Sequence, residues 1–227
     1  MLLLRHDDEV DDSRLATLDR WSGPDLDRLR QFRHRGAKTS WCFSRFLIRR
    51  ALPVACGIDP GAVELRYGPH GKPYVAGTSV RFNWSHTSGC VALAVTVGRE
   101  VGCDIEDATR RSWGYGEVAD TYFTAGERSW VEAAPDEPSR WQRFLCIYVQ
   151  KEARLKASGD GLSAPLDRVA VATQDPPFRD RSLYCFRFAD RYLVAACTDE
   201  SASPEPTAGL PAPGQLAVEI IAHRFAG

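Results

Sequence analysis

The sequence predicts an α+β fold made of two similar halves: residues 1–102, residues 103–200, and then a connector and tail over 201–227. Three features carry this expectation. One helical pattern opens at Trp41 and another at Trp141, and short apolar runs of strand type follow each. Each half also includes a strand of small residues, at 91–95 and at 193–197. With 227 residues, the chain is long enough for one large domain or two small ones packed as a unit. An echo of this kind is what a repeated helix-on-sheet unit leaves in a sequence.

Taken in order, residues 1–24 are acidic and mixed, with room for a short edge strand. Residues 25–52 turn helical and basic, with Arg28, Arg30, Arg33, Arg35 and Lys38 ahead of an apolar-periodic helix over 41–52. Such a cluster is either a solvated face or an anion site, because guanidinium forks match phosphate oxygens. A strand is expected at 65–67, followed by a glycine- and proline-rich turn that holds Lys72 at its tip. The next strand, 80–87, ends in Ser85-His86-Thr87, and 91–95 pairs after it. Ser85 and His86 are adjacent, so they point to opposite faces of the strand. That excludes a nucleophile–base dyad and leaves His86 as a cap or a phosphate donor.

Beyond the strand at 101–106, residues 107–116 read as a flexible loop whose Trp113 and Tyr115 have no periodicity to bury them. Thr124, with Glu127 three residues on, marks a capped helix start. A break at 134–139 precedes a helix over 139–157 that ends at Ser158-Gly159-Asp160-Gly161. Strands are expected at 169–172, 183–188 and 192–197, a loose connector at 201–214, and a β-prone run at 215–225.

Two stretches stand out chemically. In Val101-Gly102-Cys103-Asp104-Ile105-Glu106 the apolar residues alternate with the acids, so Asp104 and Glu106 share one strand face. Two carboxylates about 7 Å apart along a strand repel each other unless a cation sits between them. In the helix over 139–157, Trp141, Phe144, Leu145, Tyr148 and Val149 form a stripe, and Glu152 and Lys156 continue it. Charges on a covered face need partners. Asp104, Glu106 and Glu152 are therefore expected to meet around a hard divalent metal, with Lys156 beside it.

The bulk composition is that of an ordinary globular chain, 44% hydrophobic and 26% charged. A net charge of -1 gives no global basic field for nucleic acid or an anionic membrane. No run approaches the ~20 apolar residues a membrane span needs, and the first residues are too briefly apolar for a signal peptide. Seven scattered cysteines without a Cys-x-x-Cys pair read as reduced thiols of a cytoplasmic protein rather than a disulfide framework or a zinc site.

The motifs, in chain order, are Gly71-Lys72-Pro73, Phe82-Asn83-x-Ser85-His86-Thr87, Gly102-x-Asp104-x-Glu106, and Lys151-Glu152-Ala153-x-x-Lys156 with Gly161-Leu162-Ser163 after it. Together they resemble the 4′-phosphopantetheinyl transferases of the surfactin-synthetase-activating (Sfp-like) type, over roughly residues 28–198. The resemblance implies two α+β halves in a pseudo-twofold arrangement, with the active site in the cleft between them. It implies transfer of the phosphopantetheine arm of coenzyme A to a serine of an acyl or peptidyl carrier protein, with release of 3′,5′-ADP and a monomeric enzyme. Carried over by position, Asp104, Glu106 and Glu152 are the metal-associated acids. Lys156 contacts the transferred phosphate, and Lys72, Ser85 and His86 hold the phosphates of the adenosine-diphosphate portion. Arg28 and one of Arg33, Arg35 or Lys38 reach the coenzyme. Two positions depart from the family's habit: Trp84 stands where a smaller aliphatic residue is usual, and Tyr148 where a tryptophan is common.

The chemistry suits these residues. Attack of a hydroxyl on a pyrophosphate needs charge neutralisation, a proton acceptor and in-line positioning. Magnesium prefers oxygen ligands, which fits three carboxylates and no histidine. Glu152, shielded by the apolar stripe, is the expected base. Two other readings compete: a non-catalytic coenzyme A-binding protein, and a metal-dependent coenzyme A phosphodiesterase.

Overall fold

In a computed structural model of the protein, residues 1–6, 13, 15, 23–111, 114–159, 166–179 and 182–199 are described. Trp113, the Gly161-Leu162-Ser163 motif and everything expected beyond residue 199 fall outside them. The strands are β1 (Leu2–Arg5), β2 (Leu65–Tyr67), β3 (Pro73–Val75), β4 (Val80–Thr87), β5 (Cys90–Val97), β6 (Val101–Asp107), β7 (Phe178–Arg179), β8 (Leu183–Phe188) and β9 (Tyr192–Thr198). The helices are α1 (Gly23–Gln31), α2 (Arg35–Cys56), α3 (Tyr115–Tyr122), α4 (Ala125–Glu132) and α5 (Glu137–Ser158).

One antiparallel sheet runs β1-β5-β4, a second runs β6-β9-β8-β7, and β2-β3 is a separate hairpin. Period-2 alternation makes each sheet two-faced, and both faces are covered. On β5, Val91 and Leu93 meet Phe43, Leu47 and Leu52 of α2, while Cys90, Ala92 and Ala94 turn toward the second sheet. There they meet Cys103 and Ile105 of β6, Phe186 of β8, and Val194 and Ala196 of β9. The far face of the second sheet, with Leu183, Cys185, Leu193 and Ala195, packs on Trp141, Phe144, Val149 and Ala153 of α5. The order of layers is helix, sheet, sheet, helix. This explains why β9 is buried along its whole length, and why the strands at the two centres are rich in alanine: small side chains let four layers stack closely.

Several local features were expected otherwise. Helix α2 runs past Leu52 through Pro53 to Cys56, because proline's fixed φ is helical and the end is closed by Gly57 and Ile58, whose N–H groups donate to Val54 O and Pro53 O. The loop expected over 107–116 closes into α3, and Tyr115 is no free aromatic. Its ring lies 5.4 Å from Trp141 and 5.0 Å from Phe144, and its hydroxyl donates to Glu137 Oε1 at 2.7 Å. Residues 169–172 are not a strand. They run along α5 and are held by side chains rather than a ladder: Ala172 N–H donates to Gln150 Oε1 and Val171 N–H to Glu127 Oε1, both at 3.0 Å. The capping box forms as expected, with Thr124 and Glu127 exchanging bonds at the start of α4. The short edge strand near the start is β1.

Candidate active site at the seam of the two sheets

Glycine 102 sets the geometry. A Cβ at this position would lie 2.0 Å from Ala153 O and 2.3 Å from Ala157 N, both backbone atoms of α5. Only a glycine lets α5 rest directly on β6. Because Gly102, Asp104 and Glu106 share a strand face, that close approach sets the two acids against the turn of α5 that carries Glu152 and Lys156. Helix α5 then ends at Gly159, whose φ of 77° closes the last turn.

Sheet one reaches the same seam through β4. Asn83 Oδ1 accepts from Cys103 N–H at 2.9 Å, and Cys103 Sγ donates to Asn83 O at 3.2 Å, joining β4 to β6. Two residues on, Ser85 Oγ donates to Asp104 Oδ1 at 2.7 Å. Lys156 Nζ lies 2.6 Å from that same Asp104 oxygen and 3.2 Å from Ser85 Oγ. Asp104 is 4% exposed, and its other oxygen, Oδ2, is buried without a hydrogen-bond partner.

The charges respond to this crowding. Burial pushes the Glu106 carboxyl up to about 7, with Asp104 and Glu152 adding to the rise and Lys156 opposing it. Burial also raises Glu152, and Asp104 raises it further. Lys156 loses hydration, but the Asp104 carboxylate outweighs that loss and the ammonium is held above its ordinary value. Tyr148, one turn before Glu152, is raised by burial and by the same acids. Among the described residues no three histidine, cysteine or acidic side chains stand close enough to hold a metal ion as they are placed. The acids nevertheless fit one in kind. All are oxygen donors, their charges reach one another, and Asp104 Oδ2 is an orphaned acceptor.

A pocket of about 300 Å³ opens beside this cluster, lined by Lys72, Asn83, Trp84, Glu152, Leu155 and Lys156, with His70, Gly71, Pro73 and Gly159. A second, of about 380 Å³, adjoins it through the shared His70, Lys72, Pro73 and Gly159 and includes Tyr74, Arg81 and Glu100. Lys72 stands between β3 and α5. Its Nζ donates to Ala157 O at 2.7 Å and pairs with Glu100 Oε2 at 2.6 Å, and Glu100 also receives Arg81 Nε at 2.9 Å. Lys72 is thus no solvated turn charge. A cation on the C-terminal carbonyls of α5 is also well placed for the helix dipole.

The expected residues divide cleanly. Asp104, Glu106, Glu152, Lys156 and Ser85 converge, and Lys72 lies along the same cleft. Ser85 faces the acids rather than open space, whereas His86, next along β4, has part of its ring in solvent and part desolvated, within reach of the Lys156 and Asp104 charges. Arg28, Arg33 and Arg35 are exposed and line neither pocket; Arg28 bonds Gln31 at 3.1 Å and stacks over Phe32. Asn83 and Arg81 carried no assigned role in the sequence. The signal for Asn83 was its place two residues before Ser85, on the same strand face.

Residues 100–200 match the family model described as the 4′-phosphopantetheinyl transferase superfamily. The chain is 31% identical over 151 residues to a 4′-phosphopantetheinyl transferase of Bacillus subtilis, covering 66% of this chain and 65% of that protein. It is 30% identical over 155 residues to the 4′-phosphopantetheinyl transferase HetI of Nostoc, covering 66% and 64%. It is 37% identical over 125 residues to the 4′-phosphopantetheinyl transferase AcpT of Salmonella typhi, covering 54% and 59%. The chain therefore spans just under two thirds of the length of the first two relatives. The segment that bears Asp104, Glu106, Glu152 and Lys156 thus carries the pattern of the 4′-phosphopantetheinyl transferase superfamily, and it is this family that the chain resembles.

Proposed function

We propose that this chain is a 4′-phosphopantetheinyl transferase that moves the phosphopantetheine arm of coenzyme A onto a serine of an acyl or peptidyl carrier protein. The observation that carries the reading is the meeting of Ser85, Asp104, Glu152 and Lys156 at the mouth of a cleft that also holds Lys72. In the reaction the serine Oγ forms a bond to the phosphorus of the arm, the bridging P–O bond breaks, and 3′,5′-ADP leaves with the bridging oxygen. Glu152 takes the serine proton. Its raised carboxyl pKa brings it nearer to neutrality than an ordinary glutamate and makes it a stronger base. Lys156 offsets charge on the phosphate, and Lys72 draws the pyrophosphate into the cleft. His86, at the outer end of β4, donates to the adenosine-side phosphates, as does Ser85 when Asp104 releases it. Arg28 and one of Arg33, Arg35 or Lys38 are read as reaching the coenzyme.

Asp104, Glu106 and Glu152 would hold magnesium, and the ion, when bound, neutralises charge on the leaving phosphate. The helix-on-sheet unit of each half is read as one arm of a pseudo-twofold pair, in a monomeric cytoplasmic enzyme. Three clustered carboxylates weigh against a non-catalytic coenzyme A binder, since without a cation they repel a polyphosphate. Incubation with coenzyme A, magnesium and an apo carrier protein decides the matter. A mass gain of one phosphopantetheine on the carrier is the expected result. Coenzyme A hydrolysis without that gain would make the chain a phosphodiesterase, and no change in either would make it a binder.

A further inference from the structure

One acid of the seam, Asp104, is held by an ammonium group. Asp104 is nearly inaccessible, and a carboxylate at that depth needs a countercharge. The countercharge comes from Lys156, at 2.6 Å from Oδ1. Glu152 stands one turn before Lys156 on the same helix, the spacing that makes ion pairs along a helix. No such pair forms; the lysine reaches across the seam to β6 instead. Asp104 Oδ2 is meanwhile left orphaned, and no three carboxylates of the described residues close around a point.

We propose that Lys156 is a built-in competitor of the divalent cation, its ammonium answering the charge of the Asp104 carboxylate that the cation draws on when it binds. This rests on Asp104 being a metal ligand, as proposed above. Cation loading then does two things at once. It replaces one countercharge on Asp104 by another, and it releases the Lys156 ammonium with no carboxylate to answer it. A phosphate arriving in the cleft supplies that answer. Cation and phosphate binding are thereby coupled through one side chain, each favouring the other. The arrangement keeps the seam compact before the cation arrives, and it makes the cation alone a weak ligand.

The test is manganese binding in the absence of coenzyme A, followed by the electron paramagnetic resonance signal of free Mn2+. It compares the wild type with Lys156→Met, Lys72→Met and Asp104→Asn. Lys156→Met is expected to bind Mn2+ about tenfold tighter or more, the range that loss of a charge-assisted hydrogen bond carries. Lys72→Met removes the same charge from the same cleft, but its Nζ rests on Ala157 O and Glu100 and not on Asp104. Its affinity should therefore stay within about threefold of wild type, because its charge is already answered by Glu100 and makes no contact with Asp104. Equal affinities for wild type and Lys156→Met, or an equal gain in Lys72→Met, would overturn the competition while leaving the metal site standing. Absence of Mn2+ binding in every protein, with or without coenzyme A, would overturn both, and loss of binding in Asp104→Asn alone separates the two cases. If Lys156→Met does not fold, Lys156→Gln keeps a donor for Asp104 while removing the charge, and the same gain is expected of it.

Discussion

Glu106 is the residue whose environment makes the clearest claim in solution. Its carboxyl is raised from the ordinary 4.5 to about 7 by burial, with Asp104 and Glu152 adding to it. A carboxyl raised on folding binds more protons in the native than in the unfolded state across that interval. Its contribution to stability is full below the unfolded value and is lost as pH rises toward 7. Histidine 86 works in the other direction over part of the range, since desolvation of its ring and the Lys156 charge lower its pKa. The comparison that isolates Glu106 is therefore the wild type against Glu106→Gln, without metal. The wild-type Tm should fall relative to the variant between pH 4.5 and 7, and added magnesium should flatten the difference. Parallel Tm curves would mean that Glu106 is not held neutral by its surroundings. At this scale the sequence was informative about which residues matter, because alternation put Asp104 and Glu106 on one face and the helical stripe carried Glu152 and Lys156 inward. It was silent on pairing. The contact of Lys156 with Asp104 spans 52 positions and depends on how tightly α5 sits on β6.

That tightness belongs to the elements. Gly102→Ala would place a methyl inside the backbone of α5, and the helix must lift away from β6. The expected cost is about 1–3 kcal/mol of stability, or more, since the obstruction is backbone and not a flexible side chain. Loss of metal binding should accompany it, since the acids would part from Glu152. Chemical denaturation measures the first effect and Mn2+ titration the second; an unshifted midpoint would contradict the close approach. Helix α5 is secured on its other side by Lys151, which is 1% exposed. Its Nζ pairs with Glu127 at 2.9 Å and donates to Leu166 O at 2.8 Å and Val169 O at 2.7 Å. Lys151→Met leaves Glu127 as an uncompensated buried charge and should cost about 3–5 kcal/mol, read as a lower urea midpoint. Glu127→Gln/Lys151→Met together should recover part of the loss, and a double variant no better than the single would remove the pair from the account. This network is also why residues 169–172 look like a strand and are not one. Val169, Ala170, Val171 and Ala172 have the composition of a strand, but their backbone partners are the side chains of Glu127, Gln150 and Lys151, which no local pattern reveals. Helix α3 was missed for a related reason: its glycines and aromatics read as a loop until Trp141 and Phe144 gave Tyr115 a place to pack.

On the scale of the whole molecule, four layers bring two sheets face to face, and the candidate site lies where β4 of one meets β6 of the other. The α+β character was legible from the Trp41 and Trp141 helices and from the small-residue strands. Their stacking order was not, because nothing in a single strand says which of its two covered faces meets a helix and which a sheet. Lys72 ties the β2–β3 hairpin to the end of α5 through Ala157, so the cleft has one wall from the hairpin and one from α5. Glu152 faces that cleft from α5 with its carboxyl raised by burial and by Asp104. The direct measurement is the intact mass of an apo carrier protein incubated with coenzyme A, magnesium and either the wild type or Glu152→Gln, the variant having first been shown to keep its circular dichroism and Tm. The wild type should add one phosphopantetheine, and the variant should do so slower by about 10²-fold or more, the scale on which a positioned acid–base group acts. Transfer by a folded Glu152→Gln at the wild-type rate would contradict the account.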